Sequence, residues 1–336
     1  MHEMARRAVV AGGLSFLVNV AFGRAASSAP VLRGANLVET PNALFGSEKA
    51  AASLRNLAAT GANCVAIIPF FWQSTPDDPG IVLGDALPLD RIRLGIAQAR
   101  AAGLCAIIKP HVWIPGHWAG EVAMRDQTSW KRWFAAYSTH LGELAALAEG
   151  EGADAMMIGT ELSQTSHHPE WLDVIARARS RFRGTLSYAA HGPEEAGRVP
   201  FWGELDTVSA SLYPVLGAAQ DETSWRNTIT VALRQSLAVA QKVQRPFWIA
   251  EFGIRSARDA TLRPWESAEE RLAEPDALLQ AAVIGAWLEI AGRTDRRAEL
   301  VWRWFTDPAA GGREDTDFTV QNKPAEAVLR RYWTKT

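Results

Sequence analysis

The sequence contains few of the residues that mark several large protein classes. Its 336 residues include only two cysteines, Cys64 and Cys105, which are too few for a disulfide framework or, by themselves, for a zinc site. Each lies inside an apolar run, so we expect buried thiols, with a single disulfide as the alternative if the chain is exported. The formal net charge is only −2, and no basic stripe is present. Nucleic acid is therefore not an expected partner.

Three motifs that would indicate other chemistries are also missing. No G-x-G-x-x-G segment or P-loop follows the first apolar run, which argues against a doubly wound sheet that binds nucleotides. No G-x-S-x-G elbow is present, which argues against a Ser-His-Asp hydrolase of the α/β type. A metal-dependent hydrolase is a weak alternative, because only His111, His117 and His191 could cluster at strand ends. No metal or organic cofactor is expected.

The first 29 residues have the layout of an export signal. Arg6 and Arg7 precede an apolar run at 8–22, and small residues follow at 25–29. The run is too short to span a bilayer comfortably, and paired arginines are typical of the twin-arginine route. We therefore expect residues 1–29 to direct export to the periplasm or cell exterior, and residues 30–336 to form one catalytic domain without stable membrane insertion. An uncleaved N-terminal anchor is the alternative.

After this segment, short apolar runs alternate with amphipathic helical patterns. Strands are predicted at 31–38, 63–70, 104–109, 153–159, 184–189, 207–212, 246–250 and 299–305. Helices are predicted at 47–60, 89–102, 127–149, 170–182, 224–243, 277–291 and 324–332. Strands that are apolar throughout indicate a parallel sheet covered by helices, and eight alternating units predict a single (β/α)8 TIM barrel. The fifth unit is the weakest, because 194–204 shows little helical pattern.

The predicted strand ends carry aromatic and polar side chains, and the active site of such a barrel lies at those ends. These side chains include Trp72, His111, Trp113, Thr160, Tyr213, Trp302 and Trp304. Sugars require both types, since aromatic rings stack on their C–H faces and polar groups bond their hydroxyls. An oligosaccharide or polysaccharide is therefore the expected ligand. Some of the rings are instead expected to fill the barrel mouth.

Two glutamates are the sharpest feature of the sequence. Glu161 and Glu251 end the strongly apolar fourth and seventh strands, where a charge is costly unless it has a function or a partner. These strands lie on nearly opposite sides of a barrel, so their tips can hold two carboxylates across a sugar-sized gap. Retaining glycosidases need such a pair about 5–5.5 Å apart, and inverting enzymes about 6.5–9.5 Å. The alternative is a rim salt bridge with Arg33, Lys109 or Arg255.

These residues resemble the clan of retaining (β/α)8 glycoside hydrolases, whose working glutamates end strands four and seven. Within the clan, the sequence is most similar to the small family that contains bacterial endo-β-1,4-mannanases. The matching segments are 109–113, 158–162, 250–256 and 302–305, and the resemblance spans roughly 34–305. The strand-four and strand-seven segments are specific as a pair, whereas each alone would be weak.

The resemblance implies that Glu161 is the acid/base and Glu251 the nucleophile, with Tyr213 donating a hydrogen bond to the nucleophile. It also implies that His111, Trp113 and a tryptophan of the last strand line the subsite of the attacked sugar. The remaining substrate-binding candidates are Trp72, Thr160 and both last-strand tryptophans, Trp302 and Trp304. Thr160 departs from most of the clan, which has Asn there to bond the sugar 2-hydroxyl. The identity of the sugar is the property that this departure puts in doubt.

The expected function is a monomeric retaining β-glycoside hydrolase that acts on an extracellular or envelope polysaccharide. Mannan is the substrate that the family resemblance suggests, and a bacterial exopolysaccharide or another β-glucan is the alternative. A non-catalytic carbohydrate-binding barrel is the second alternative. Such a barrel would be expected to have lost one carboxylate, whereas this chain has both.

Overall fold

Eight parallel strands close into a barrel, as the sequence predicts. The computed structural model describes residues 30–84, 88–217 and 221–334, so the predicted signal at 1–29 lies outside the described residues. In chain order the strands are β1 (Leu32–Val38), β2 (Cys64–Ile67), β3 (Phe70–Trp72), β4 (Val82–Leu83), β5 (Cys105–Ile108), β6 (His111–Trp113), β7 (Ala155–Thr160), β8 (Thr185–His191), β9 (Val208–Leu212), β10 (Phe247–Phe252) and β11 (Ala298–Phe305). The barrel order is β1-β2-β5-β7-β8-β9-β10-β11, closed by the pairing of β11 with β1.

Helices connect the barrel strands. They are α1 (Glu48–Ala58), α2 (Leu89–Ala101), α3 (Gln127–Gly150), α4 (Trp171–Arg181), α5 (Gly192–Arg198), α6 (Glu222–Lys242), α7 (Ala277–Gly292) and α8 (Pro324–Trp333). Single turns of 3-10 helix lie at Ala119–Glu121, Trp202–Glu204 and Ala260–Leu262. None of the described helices is long and apolar enough to cross a membrane. The (β/α)8 prediction is confirmed, and the weak fifth unit is the short helix α5.

Two apolar layers hold the barrel together. Side chains such as Ile107, Met157 and Leu300 fill the barrel interior, and alternate strand residues pack outward against the helices. Cys64 and Cys105 are register partners on neighbouring strands, and both are free thiols. Cys64 is buried as expected, whereas Cys105 is only partly buried.

A small sheet at the rim of the barrel was not predicted. Strand β2 was expected to reach Phe70, but it ends at Ile67, and β3 then pairs with β6 and β4 in a separate three-stranded sheet. Pro69 and Pro110 precede β3 and β6, and a proline has no N–H to continue the barrel ladder. The chain therefore leaves the barrel at both prolines and places the next side chains over the cleft.

Candidate active site

Glu161 and Glu251 both lie at the C-terminal rim of the barrel. Glu251 is within β10 and is 3% exposed, while Glu161 follows β7 directly and its side chain is 13% exposed. Glu161 adopts a left-handed backbone conformation with φ of 54°, and its N–H donates to Ala189 O at 2.8 Å. Such a conformation is uncommon for a residue other than glycine and costs on the order of 1 kcal/mol or more. The turn that aims Glu161 into the cleft is therefore held by its neighbours.

Glu251 is surrounded by groups that stabilise its anionic form. Tyr213 Oη donates to Oε2 at 2.7 Å, Lys109 Nζ donates to Oε1, and His111 Nε2 lies 3.1 Å from Oε1. Burial acts to raise the pKa of Glu251, but Lys109 and His111 outweigh it and lower that pKa to about 2. Glu251 is therefore ionised at neutral pH, as a carboxylate nucleophile must be. Of the three basic residues considered as rim partners, Lys109 does pair with this glutamate, while Arg33 pairs with Glu299 instead.

Lys109 and His111 are themselves buried beside Glu251. The Lys109 side chain is fully buried, and this burial lowers the pKa of the ammonium while Glu251 acts to raise it. Burial and the Lys109 charge lower the pKa of His111, which favours the neutral imidazole. Glu251 thus faces the ammonium of Lys109, the imidazole of His111 and the phenol of Tyr213.

Glu161 has a different environment. Trp118 Nε1 donates to its Oε2 at 2.8 Å, and the Trp118 ring lies 4.5 Å from the ring of His191. His191 Nδ1 is 3.2 Å from Oε1 of Glu161, without the angles of a hydrogen bond. Burial acts to lower the pKa of His191, but contact with Glu161 outweighs it and raises that pKa. The two carboxylates therefore differ in environment: a buried ammonium contacts Glu251, whereas an indole N–H and a partly exposed imidazole contact Glu161.

A buried carboxylate of α5 supports the Glu161 side of the cleft. Glu195 in α5 is 1% exposed and accepts hydrogen bonds from Tyr188 Oη at 2.6 Å, Ser163 Oγ at 2.7 Å and the N–H of His191 at 2.6 Å. Ser163 follows Glu161 by two residues. Glu195 therefore ties the loops after β7 and β8 together.

Aromatic rings form a wall on the other side of the cleft. Phe70 and Trp72 pair in register with His111 and Trp113, so these four rings share one face of the rim sheet, while Phe71 and Val112 pack into the core. Trp72 lies 6.0 Å from Trp113, whose side chain is half exposed. The wall ends at Trp302, whose ring is 5.5 Å from His111 and 5.5 Å from Lys109 Nζ.

Two of the predicted substrate-binding residues lie elsewhere. Trp304 is 1% exposed in the core, where its Nε1 donates to Ser53 Oγ of α1 at 2.8 Å. Trp302 and Trp304 pair with the consecutive residues Asn36 and Leu37 of β1, because the register shifts by one residue between them. The two rings therefore face opposite sides of the strand, although residues two apart normally share a side. Thr160 is also 1% exposed, and its hydroxyl donates to Pro110 O at 3.0 Å. Neither side chain forms part of the cleft surface, so both assignments are corrected.

Sequence reasoning missed the roles of three residues. Lys109 was considered only as a salt-bridge partner, although a lysine at the end of an apolar strand already indicates a buried counter-ion. Trp118 lies in a loop and Glu195 in a short helix, both without clear periodicity. Only the fold brings Trp118 to Glu161 and Glu195 to Ser163. In the described ranges no group of three or more His, Cys, Asp or Glu side chains could hold a metal ion.

The family model of glycoside hydrolase family 113 matches residues 37–323. The chain belongs to glycoside hydrolase family 113. This is a family of retaining (β/α)8 enzymes, so the chain is a retaining β-glycoside hydrolase. No protein with a curated description matches it.

Solved structures agree with this membership. The family 113 β-mannanase AaManA from Alicyclobacillus acidocaldarius, in complex with ManMIm, is 26% identical, with a TM-score of 0.80 over 91% of this chain and 98% of that chain. Another family 113 β-1,4-mannanase is 23% identical, with a TM-score of 0.81 over 92% and 100% of the two chains. A GH5_18 protein from Streptomyces cattleya in complex with GlcNAc is 14% identical, with a TM-score of 0.60 over 91% and 81%. The last two likenesses concern the fold alone.

Proposed function

We propose that this family 113 enzyme is a β-1,4-mannanase in which Glu251 is the nucleophile and Glu161 the acid/base. The single observation that carries the assignment of roles is the buried pairing of Glu251 with Lys109, which keeps Glu251 ionised. Glu161 accepts a hydrogen bond from the neutral indole of Trp118 and contacts no lysine or arginine among the described residues. Glu161 is therefore the carboxyl of the pair that no buried ammonium holds, which suits the acid/base role.

The proposed reaction takes place in two steps. Glu251 attacks the anomeric carbon, the glycosidic bond breaks, and Glu161 gives its proton to the leaving oxygen. Glu161 then takes a proton from water, whose oxygen attacks the anomeric carbon and displaces the Glu251 carboxylate. Tyr213 and Lys109 hold the Glu251 carboxylate in place before the attack. When the sugar leaves, Glu251 becomes a carboxylate again and pairs with both of them.

The roles can be tested with two variants. Glu251→Ala should abolish turnover, and Glu161→Ala with added azide should yield a glycosyl azide, because azide needs no base and reaches the space left by the carboxyl. Glu204→Ala, an exposed glutamate after α5, is the matched control and should leave turnover unchanged. Normal turnover by either of the first two variants would contradict the roles.

Mannan as the substrate is supported by the β-mannanase AaManA, which is similar over nearly the whole of both chains. The aromatic wall of Trp72, Trp113 and Trp302 suits stacking of consecutive sugars. A panel of β-linked polysaccharides tests the substrate: β-1,4-mannan should be hydrolysed faster than β-glucans and bacterial exopolysaccharides. Faster hydrolysis of one of the latter would overturn the assignment.

Export is the remaining part of the proposal. It is supported by Arg6-Arg7, the apolar run at 8–22 and the small residues at 25–29. A reporter fused after residue 29 should be exported, and replacing both arginines by lysine should block this if the twin-arginine route is used. A reporter that stays in the cytoplasm would contradict export.

We also propose that the enzyme acts as a monomer, which its mass in solution would test.

A further inference from the structure

A cavity of about 490 Å³ opens beside the two working glutamates. It lies between the start of α5, the ends of β8 and β9, and one face of α6. Two of its lining residues are His191 and Tyr213, which contact Glu161 and Glu251 respectively. The cavity therefore adjoins the side chains that contact both glutamates, and its volume is within the range of about 300–1,000 Å³ that is usual for small-molecule sites.

The shortness of α5 explains why the cavity exists. This helix has seven residues, whereas the next helix, α6, has 21. Residues along α6 line the cavity, including Asn227, Val231 and Gln235, which are spaced by four and so share one helix face. All three side chains are exposed. The upper part of α6 thus faces the barrel mouth.

The lining favours an uncharged ligand with hydroxyl groups. The Ser211 hydroxyl is buried and has no hydrogen-bond partner among the described residues, which is costly unless a ligand or water bonds it. Asn227 and Gln235 supply exposed amides that can both donate and accept hydrogen bonds. The described lining includes one carboxylate, Glu194, and no lysine or arginine. His191 is the one described lining side chain that can become cationic, and it faces Glu161, so the rest of the lining offers an uncharged sugar both donors and acceptors.

The position of the cavity assigns it to one side of the cleaved bond. Strands β8 and β9 lie across the barrel from β1 and β2, so the cavity faces the aromatic wall over the catalytic centre. It adjoins His191, which contacts Glu161, and the general acid must contact the oxygen of the leaving group. The cavity also touches Tyr213, but the aromatic wall ends at Trp302 beside Lys109 and His111, both of which contact Glu251. The wall therefore suits the sugars that stay on the enzyme, and the opposite, cavity side suits the leaving chain.

We infer that this cavity is a subsite for an uncharged hexose of the leaving-group chain, and this inference rests on the proposed mannanase function. Binding energy from a sugar remote from the cleaved bond raises kcat/KM when it is realised in the transition state. Substrates that extend into the cavity should therefore be cleaved more efficiently than substrates whose leaving group is too short to reach it.

The test fills the cavity from its outer edge. Val231 is 53% exposed, so Val231→Trp adds bulk at the mouth of the cavity without disturbing the core. The measurement is the ratio of kcat/KM on mannohexaose to kcat/KM on an aryl β-mannobioside, whose phenol leaving group does not enter the cavity. We expect this ratio to fall about tenfold or more. Gln235→Ala should lower it in the same direction without adding bulk.

A matched control and three outcomes decide the inference. Ala238→Trp adds the same side chain at an exposed position of α6 outside the cavity, and it should leave the ratio unchanged. An unchanged ratio in Val231→Trp, or an equal loss on both substrates, would overturn the subsite while the mannanase function stands. If the wild-type enzyme hydrolyses neither substrate, the mannanase function fails, and a mannosyl subsite fails with it.

Discussion

The charge arrangement around Glu251 is the decisive feature at the scale of single residues. A buried carboxylate without a partner would take up a proton near neutral pH, and a protonated Glu251 could not attack carbon. Lys109 prevents this because its ammonium is buried against Oε1 of Glu251. Replacing one member of such a pair leaves the other charge buried and uncompensated.

We predict that Lys109→Met moves the acidic limb of the kcat/KM profile to higher pH. Lys109 lowers the pKa of Glu251 and burial raises it, so removal of the cation leaves burial dominant. Glu251 then becomes protonated at a higher pH, and the ionised fraction needed for attack is lost earlier as the pH falls. We expect the limb to move by about one pH unit or more, measured as kcat/KM against pH on the free enzyme.

Lys323→Met is the matched control for this prediction. Lys323 also has a fully buried side chain, but its Nζ donates to Asp315 and Ser256 rather than to a working glutamate. Its removal should lower stability and leave the position of the acidic limb unchanged. An unshifted limb in Lys109→Met, or the same shift in both variants, would contradict the role given to Lys109.

At the scale of secondary-structure elements, the Glu161 side of the cleft depends on how two loops are joined. Glu195 in α5 contacts Ser163 after β7 and the N–H of His191 at the end of β8. Glu161 itself has a left-handed backbone, so its direction depends on these contacts rather than on intrinsic preference. Helix α5 is short, but through Glu195 it contacts both loops that flank Glu161.

We predict that Glu195→Gln lowers both stability and turnover. The amide can accept through only one atom, so at least one buried donor loses its acceptor. A hydrogen bond to a charged group contributes about 1.5–3 kcal/mol, and we expect a loss of that order in the free energy of unfolding, measured by urea denaturation. The kcat should also fall, because Glu161 is held less firmly. Glu204→Gln, at an exposed position, should change neither, and a normal kcat in Glu195→Gln would refute the positioning role.

Long elements with a repeated apolar pattern could be predicted from the sequence, and short elements could not. The barrel strands and long helices are visible in the sequence because each repeats an apolar pattern over several residues. Strands β3, β4 and β6 have two or three residues each, too few for a pattern to emerge. Trp304 was misplaced because the register shift opposite Trp302 has no sequence signal. Trp118 was not assigned because its contact with Glu161 depends on a loop that only the folded barrel brings into place.

At the scale of the whole molecule, the barrel is closed by its first and last strands, and α8 covers the seam from outside. Glu299 in β11 is 1% exposed and receives hydrogen bonds from Arg296 and from Trp333 Nε1 of α8, the latter at 2.9 Å. Glu299 lies at the N-terminal end of its strand, opposite the catalytic rim, where buried contacts serve stability rather than chemistry. Changes to the contacts that close the barrel should therefore affect stability without affecting turnover.

Trp333→Ala tests this separation. Trp333 is 3% exposed, so its truncation leaves a large cavity and also removes one donor from the buried Glu299 carboxylate. We expect the free energy of unfolding to fall by about 3–5 kcal/mol in urea denaturation, while kcat per folded molecule stays unchanged at low temperature. Arg331→Ala, at an exposed position of the same helix, should change stability by about 0.5 kcal/mol or less. A fall in kcat that exceeds the unfolded fraction would show that the seam and the cleft are coupled, because no described contact of Trp333 reaches either working glutamate.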